Sequence, residues 1–442
     1  MIRNGKKKAI SCALVAAMSV GLAACGTTSY DFKVSYDGIK TGDVSSKVSV
    51  HDPSILKADG EYYIFGSHMS AAKSSDLLNW EKVADGYSKK NPVYGQIYDV
   101  ADEAFAYSGS KNSLIKTDDK QVHVWAPDVI YNETTGLYYM YYCTTSTWNA
   151  SNLCYGTSTT PEGPYEWQGA LIYSGFNRKT ISGTDVLDYV DEDYAYKNYI
   201  KGAQYNYEDY PNAIDPTVFY DADGRMWMVY GSWSGGIFLL EIDKTTGLVI
   251  HPEADKANNV DPYYGKRLLG GGHISIEGPY IMYDETSGYY YLFVSYGALT
   301  SNGGYQVRVF RSKTVDGEYV DMNGKYPEKS AQHQNFGLKL TGNYKLPSLE
   351  KAYMATGHNS AFVDDDGRMY LVYHTRFNDN GEGHSPRVHQ MLVNEDGWPC
   401  ELPYQTQGET VNKDGYDTDD IIGRYYVCLL YTSPSPRDGA TS

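Results

Sequence analysis

The sequence has little positive charge. Its 442 residues include 38 Lys and Arg against 55 Asp and Glu, which gives a formal net charge of −17. Because nucleic-acid binding requires a basic face to meet the phosphates, this balance argues against a nucleic-acid partner. A neutral ligand suits the chain better.

Two familiar motifs are also missing. The sequence contains no G-x-S-x-G segment of the kind that presents a serine nucleophile. The glycine-rich stretch GGGHIS, residues 270–275, is not followed by the Lys-Ser/Thr of a phosphate-binding loop. DADG and DDDG resemble calcium-loop fragments but lack the later ligands, so we predict that they are turns.

Cysteine is scarce. Six are spread through the chain without the close spacing of a disulfide framework or a zinc site. Cys143 and Cys154 flank a predicted hairpin and are the one pair that an oxidising compartment would join, a question that the sequence leaves open. We expect the fold not to depend on any disulfide.

The N-terminal sequence predicts a targeting segment. The basic MIRNGKKK precedes the apolar AISCALVAAMSVGLAAC, which is too short for a comfortable membrane span. Its LAAC ending resembles a bacterial lipobox, so we predict a lipoprotein signal peptide at 1–25 with a lipid anchor on Cys25, followed by a linker at 26–48. An ordinary secretory signal is the alternative. Either signal would export the protein. We expect membrane contact only through the lipid on Cys25.

What the chain has in abundance is tyrosine and glycine, 45 and 44 residues, a composition typical of strands and turns. Five segments share one pattern, in which a polar residue leads an apolar run, a turn ending in Gly and an aromatic strand. They are HDPSILKADGEYYIFGS, APDVIYNETTGLYYMYYCTT, IDPTVFYDADGRMWMVYGS, EGPYIMYDETSGYYYLFVSY and HNSAFVDDDGRMYLVYH. Their lead residues are Asp52, Asp128, Asp215, Glu277 and Asn359.

Each segment predicts a hairpin that cannot bury its own face, whereas five four-stranded sheets arranged radially bury one another. We therefore predict an all-β fold, a five-bladed β-propeller over 49–405, with a two-layer β-sandwich as the alternative. Two long inserts, 88–119 and 174–211, are expected to form walls around the channel mouth. Residues 406–427 are expected to begin a truncated C-terminal β domain, and 428–442 resemble a non-native tail.

If every repeat begins on the innermost strand of a blade, the lead acids converge at one mouth of the channel. Carboxylates brought together in this way suit glycoside hydrolysis with inversion, where one protonates the leaving oxygen and another activates water. Asp52 and Glu277 are the candidates for these roles, with Asp215 as a third acid. Asp128 is expected instead to accept backbone hydrogen bonds inside its blade.

Six short motifs, in this order, resemble glycoside hydrolase family 43, and within it the endo-acting arabinanases that cut α-1,5-linked L-arabinan. They are HDPSI, WAPDV, NAIDP, YGSWSGG, SIEGPY and GHNS, and the resemblance extends over residues 50–404. It implies a five-bladed propeller, in agreement with the repeats. Three departures stand out: the Tyr-rich insert, a YGSWSGG segment one residue short, and only the first strand of a C-terminal domain.

The resemblance also implies residue roles. Asp52 would be the general base, Glu277 the general acid and Asp215 the residue that tunes the pKa and orientation of the acid. Six residues match segments that line the sugar site in that family: Asn212, Ala213, Ile214, Ser232, Trp233 and Trp125. His358 matches a histidine that, with waters, holds Ca²⁺ in the channel.

Two rival functions remain at this level. One is an exo-acting arabinofuranosidase or β-xylosidase of the same family, which would release single sugars from short glycosides. The other is a non-catalytic sugar-binding propeller, against which the presence of all three acids counts. The predicted partner in every case is plant cell-wall arabinan or a related oligosaccharide.

Overall fold

The computed structural model describes residues 48–118, 121–147, 149–327, 335–346, 348–377, 383–412 and 414–422. The predicted signal peptide at 1–25, the linker up to residue 47 and the tail at 428–442 lie outside the described residues. The described residues belong to two units, 48–410 and 411–422, of which the first contains the repeats.

The repeat-containing unit is built from five antiparallel sheets, one for each predicted hairpin. Blade 1 contains β1 (Ser54–Ala58), β2 (Glu61–Gly66), β3 (Ser70–Ser74) and β4 (Glu81–Ala84). Blade 2 contains β5 (Val124–Asn132), β6 (Leu137–Thr147), β7 (Ala150–Ser158) and β8 (Glu166–Tyr173). Blade 3 contains β11 (Thr217–Tyr220), β12 (Met226–Tyr230), β13 (Ile237–Ile242), β14 (Val249–Ile250), β15 (Val260–Asp261) and β16 (Gly265–Leu269).

The last two blades each have four strands in chain order. Blade 4 contains β17 (Ile276–Asp284), β18 (Tyr289–Tyr296), β19 (Gln306–Ser312) and β20 (Leu338–Lys339). Blade 5 contains β21 (Met354–Val363), β22 (Met369–Arg376), β23 (Ser385–Val393) and β24 (Pro399–Glu401).

The first strands of the five blades form a closed ring. β1 contacts β5, β5 contacts β11, β11 contacts β17, β17 contacts β21, and β21 returns to β1. At the closure, the Ile55 amide donates to Ser360 Oγ over 3.1 Å, and Lys57 pairs with Asp364 across the blades. This arrangement confirms the five-bladed propeller and excludes the β-sandwich.

Tyrosine supplies much of the packing between blades. Tyr141 and Tyr230 are both fully buried in the cluster that joins blades 2 and 3. Their hydroxyls donate to the backbone oxygens of Gly247 at 2.9 Å and Tyr264 at 2.8 Å. These two tyrosines therefore fill the interface with their rings while their hydroxyls stay hydrogen-bonded.

The two inserts take different places. The first contains the short helices α1 (Gly95–Asp99) and α2 (Ala101–Ala104), whose apolar residues pack into the core cluster of blades 1 and 2. Its buried Val93, Ile97 and Phe105 hold it against the blades. That it lines the mouth stays a prediction. The second contains α3 (Val186–Tyr189), α4 (Glu192–Asn198), β9 (Ile200–Lys201) and β10 (Gln204–Tyr205).

Cys143 and Cys154 are free. In the register of β6 and β7, Cys143 lies opposite Leu153 and Cys154 opposite Tyr142. Because side chains alternate along a strand, the two thiols point to opposite faces of the sheet. Each is buried in a different core cluster, which resolves the open question of their pairing.

The unit 411–422 contains one turn of helix, α5 (Thr418–Ile421), and no strand among its described residues. Residues 423–427 lie outside the described part of the chain. The predicted start of a β domain at 406–427 therefore stays a prediction. Within the described ranges, no helix has the length and apolar character needed to cross a membrane.

Candidate active site

The distant acids meet in one cavity. A cavity of about 340 Å³ is lined by Asp52, Asp215 and Glu277, which lead the first, third and fourth repeats. His358, from the start of the fifth repeat, lines it as well. The convergence predicted from the repeat pattern is therefore present, because each lead residue lies at the same end of an inner strand.

The backbone at this cavity is unusually strained. Asp52 and Asp215 both have φ +56°, Trp233 has φ +57° and His358 has φ +48°. Left-handed conformations are uncommon outside glycine, and they cluster at functional sites where the surrounding fold holds them in place. The strain turns each side chain away from its strand and toward the cavity.

Glu277 is aimed by a β-bulge in β17. Its pairing with Ser295 shifts register before Tyr280 pairs with Phe293, a device that is frequent next to active sites. Gly278, at φ +56°, allows close packing here, because a Cβ on it would lie 3.0 Å from Cγ of His358. The close approach of His358 therefore explains why glycine follows Glu277.

Both oxygens of Glu277 accept hydrogen bonds. Trp233 Nε1 donates to Oε2 and the Tyr305 hydroxyl donates to Oε1, each over 2.7 Å. Burial raises the pKa of Glu277 above its ordinary value, although these two donors and the charge of His358 oppose the shift. The two donors fix the orientation of the carboxyl group, and its burial raises the pKa.

Asp52 has the opposite electrostatics. Ser67 Oγ donates to its Oδ2 over 2.5 Å, and His358 Nδ1 lies 3.0 Å from its Oδ1. Burial by itself would raise the pKa of Asp52, but the positive charge of His358 outweighs it and holds the pKa well below 3.8. Asp52 is therefore ionised where Glu277 tends to be protonated.

Asp215 is linked to Glu277 through the backbone of the next residue. Its Oδ2 accepts a hydrogen bond of 3.2 Å from the amide of Gly278, next to the catalytic candidate Glu277. Burial raises the pKa of Asp215 to about 7, with the negative charges of Glu277 and Asp52 adding to the rise and His358 opposing it. The protonation of Asp215 and that of Glu277 depend on each other.

Comparison with known proteins identifies the family to which this site belongs. The sequence model of the family described as Glycosyl hydrolases family 43 matches residues 44–208 and 191–399. The chain belongs to this family. It is therefore a glycoside hydrolase.

Individual relatives extend the comparison. An extracellular endo-alpha-(1->5)-L-arabinanase of Thermotoga petrophila is 39% identical over 389 residues, 85% of this chain and 74% of that protein. The extracellular endo-alpha-(1->5)-L-arabinanase 2 of Bacillus subtilis is 37% identical over 408 residues, 86% and 76% of the two chains. The crystal structure of the Thermotoga petrophila endo-1,5-alpha-L-arabinanase with TRIS has a TM-score of 0.71 at 39% identity, covering 85% of this chain and 78% of that one.

Four of the six residues predicted to bind sugar line the cavity of this family 43 hydrolase. They are Trp125, Ile214, Ser232 and Trp233. The indole nitrogen of Trp125 is buried and has no hydrogen-bond partner among the described residues, which leaves it available to a ligand. Asn212 and Ala213 are buried behind the cavity wall, where Ser151 Oγ donates to Asn212 Oδ1 over 2.8 Å. Their contact with sugar stays a prediction.

Asp128 differs from the other lead acids. It lies outside the cavity and links blades: Ser54 Oγ of blade 1 donates to one oxygen, and the Val218 amide of blade 3 donates to the other over 2.7 Å. Asp128 also accepts a backbone hydrogen bond from Val129 of its own blade, so the expected bond inside the blade is present and the bonds to blades 1 and 3 add to it. The inner strands approach closely enough for one carboxylate to join three blades.

Several residues of the hydrolase site gave no clear sequence signal. His51 was visible beside Asp52. Tyr305 follows two glycines, directly precedes β19 and reaches Glu277 only because β19 lies beside β18. His68 lines the cavity, while His374 and His384 lie beside His51. Isolated histidines are too ambiguous for sequence analysis to assign.

Three of these histidines form a compact group. His51, His374 and His384 are the only set of three or more potential metal ligands found close together in the described ranges, with ligand atoms within 4.8 Å of one another. Burial lowers the pKa of His51 to about 3 and of His384 to about 4, so the rings are neutral. Nδ1 of His51 and Nε2 of His374 are buried without a hydrogen-bond partner among the described residues, and Nε2 of His51 lies 3.1 Å from Oδ1 of Asp52.

This donor set fits a cation bound at the base of the cavity. Neutral imidazoles do not repel a cation. A buried nitrogen without a protein partner requires a bound cation or an ordered water as its partner. Calcium prefers oxygen ligands, so water would supply most of its coordination shell. The predicted ligand His358 is buried nearby, with Nδ1 directed at Asp52.

Two clefts adjoin the cavity of the hydrolase. One, of about 350 Å³, shares His51 and His68 with it and extends along blade 1 to Lys82 and Asp85. The other, of about 420 Å³, lies across His273 from Trp233. We name it the insert cleft; its lining includes Asn149, Asn177, Gln204, Tyr205, Tyr207 and His273.

Proposed function

We propose that this hydrolase cleaves internal α-1,5-L-arabinofuranosidic bonds of arabinan with inversion at the anomeric carbon. The observation that carries the proposal is one cavity lined by the carboxyl groups of both Asp52 and Glu277, where burial raises the pKa of Glu277 and the charge of His358 lowers that of Asp52. Inverting hydrolysis needs this pair, one to protonate the leaving oxygen and one to activate water.

In this scheme Glu277 is the general acid and Asp52 is the general base. Glu277 gives its proton to the departing glycosidic oxygen, while Trp233 and Tyr305 hold the carboxyl group in place. Asp52 takes a proton from the attacking water, with Ser67 and His358 fixing its orientation. Asp215 raises the pKa of Glu277 through its negative charge, since like charges in a buried site disfavour ionisation.

Arabinan and internal cleavage are supported by two kinds of observation. The relatives at 39% and 37% identity are named endo-arabinanases. The catalytic cavity shares His51 and His68 with one cleft and is linked to a second through the contact of Trp233 with His273. A polymer needs room on both sides of the bond that is cut, whereas exo action needs one closed side. The exo alternative and the non-catalytic alternative therefore have less support.

Product analysis tests the proposal. Brief digestion of debranched arabinan should give a series of oligosaccharides, and proton NMR of the first product should show the inverted anomer. Release of arabinose alone would favour the exo alternative. Binding without any cleavage would favour a sugar-binding propeller, and a retained anomer would contradict the assigned roles.

The pH profile gives a more specific prediction for Asp215. Glu277 acts in its protonated form, so kcat/KM should fall as the pH rises through its raised pKa. Asp215→Asn removes a negative neighbour, which makes ionisation of Glu277 easier and lowers its pKa. The alkaline limb should therefore move to lower pH, in kcat/KM measured on linear arabinan across the pH range. Asp223→Asn, an exposed residue of the same blade, should leave the limb in place; an unmoved limb in Asp215→Asn would refute the coupling.

We also propose that a calcium ion binds at the cavity, held mainly by water and by His358 in its neutral form, beside the neutral rings of His51, His374 and His384. When bound it would supply positive charge and fix the positions of the rings. Chelation followed by dialysis should lower the melting temperature, and calcium should restore it. Metal content by mass spectrometry should fall to background in His358→Ala but not in His251→Ala, which replaces a histidine of blade 3. Full calcium content in His358→Ala would remove that residue from the site.

Export with a lipid anchor is the remaining part of the proposal. Both curated relatives are named extracellular, and LAAC ends at Cys25. Fractionation of expressing cells should place the protein with membranes and should release it when Cys25 is replaced by Ser. Equal partition of the two forms would favour an ordinary secretory signal.

A further inference from the structure

The insert cleft is connected to the catalytic cavity by a continuous wall of side chains. Trp233 donates to Glu277, and its ring centroid lies 5.6 Å from that of His273. The His273 ring in turn lies 5.5 Å from that of Tyr207 in the second insert. A ligand that extends from the cavity past Trp233 therefore meets His273 and then Tyr207.

The wall is held in place by backbone hydrogen bonds. The Gly272 amide donates to the Glu208 oxygen over 2.7 Å, and the Gly235 amide donates to the Gly272 oxygen over 2.9 Å. The insert is thus tied to the loop that contains Trp233. On the opposite side of the cleft, a Cβ on Gly175 would lie 2.3 Å from the Asn149 oxygen, so the chain segments there are in close contact. The cleft is preformed.

The lining of the cleft matches a neutral, hydroxyl-rich ligand. None of its described lining residues is Asp, Glu, Lys or Arg. Asn177 accepts a hydrogen bond from the Lys179 amide, but its Nδ2, like the amide group of Gln204, has no acceptor among the described residues. Tyr207 is 36% exposed, with its ring open to solvent. Free amides beside an exposed aromatic ring are what sugar hydroxyls and the apolar face of a sugar require.

We propose that the insert cleft is a distal subsite that binds arabinofuranosyl units of a long chain, away from the bond that is cleaved. This inference rests on the proposed arabinanase function and deepens it. Tyr207 packs against a sugar ring, while Asn177 and Gln204 donate to its hydroxyls. The second insert thereby gives the hydrolase a preference for long chains.

The test compares substrates of different length. In Tyr207→Ala, kcat/KM on linear arabinan should fall about tenfold further than on arabinotriose, the equivalent of ~1.4 kcal/mol. Tyr207→Phe keeps the ring and should keep most of the preference. Tyr131→Ala, which removes a tyrosine that is 42% exposed in blade 2, should change neither substrate. Equal losses on both substrates, or no loss on the polymer, would overturn the subsite.

Binding separates this inference from the proposed function. Calorimetry with Glu277→Gln should show that arabinohexaose binds more tightly than arabinotriose, and that adding Tyr207→Ala removes the difference. If the wild-type protein cleaves no arabinan but this difference persists, the proposed activity fails and the sugar-binding cleft stands. If cleavage occurs without a length-dependent effect of Tyr207, the activity stands and the cleft fails.

Discussion

Replacing Glu277 with Gln is expected to lower kcat/KM on linear arabinan by ~10²–10⁴-fold, the range typical of losing a general acid or base. The amide has nearly the shape of the carboxyl group but has no acidic proton to give to the leaving oxygen. The loss should shrink on an arabino-oligosaccharide that carries a 4-nitrophenol leaving group, because that group departs without protonation. Initial rates on both substrates measure the effect.

Glu285→Gln is the matched control for this change. It is the same substitution at an exposed position in the hairpin turn between β17 and β18, in the blade that contains Glu277. Its activity should equal that of the wild type. A Glu277→Gln enzyme that loses the same factor on both substrates would not be a general-acid variant, and full activity would exclude Glu277 from catalysis.

Replacing Asp52 with Asn should lower kcat/KM by a similar factor, ~10²–10⁴-fold, but to the same extent with good and poor leaving groups. The activation of water is required whatever the leaving group. Asn tolerates the left-handed backbone that Asp52 adopts at φ +56°, so the fold should survive. The two variants together would therefore assign base and acid independently.

Asp59→Asn makes a close control. Asp59 is exposed, lies seven positions along the chain and has φ +53°, so the substitution tests the same backbone conformation outside the cavity. Its rates should match those of the wild type, and thermal unfolding should confirm that both variants are folded. Recovery of Asp52→Asn activity on the 4-nitrophenol substrate would reverse the assigned roles.

Most of the propeller fold could be predicted from the repeat pattern. Each hairpin contains its own turn and alternating strand, so local sequence predicts it, and five such units leave few ways to bury their faces. The inserts were less predictable, because their apolar residues have no period. Whether Val93 and Ile97 line a mouth or fill a core depends on which blades they meet.

The sequence by itself determined that five hairpins lead with polar residues and that Asp52, Asp215 and Glu277 would share one end of a channel. Turn chemistry and strand alternation are local properties, and they repeat visibly along the chain. Only the tertiary structure decided which carboxyl group keeps its proton. Burial raises the pKa of Glu277, while the charge of His358 holds the pKa of Asp52 low, and both effects depend on how the blades pack around each acid.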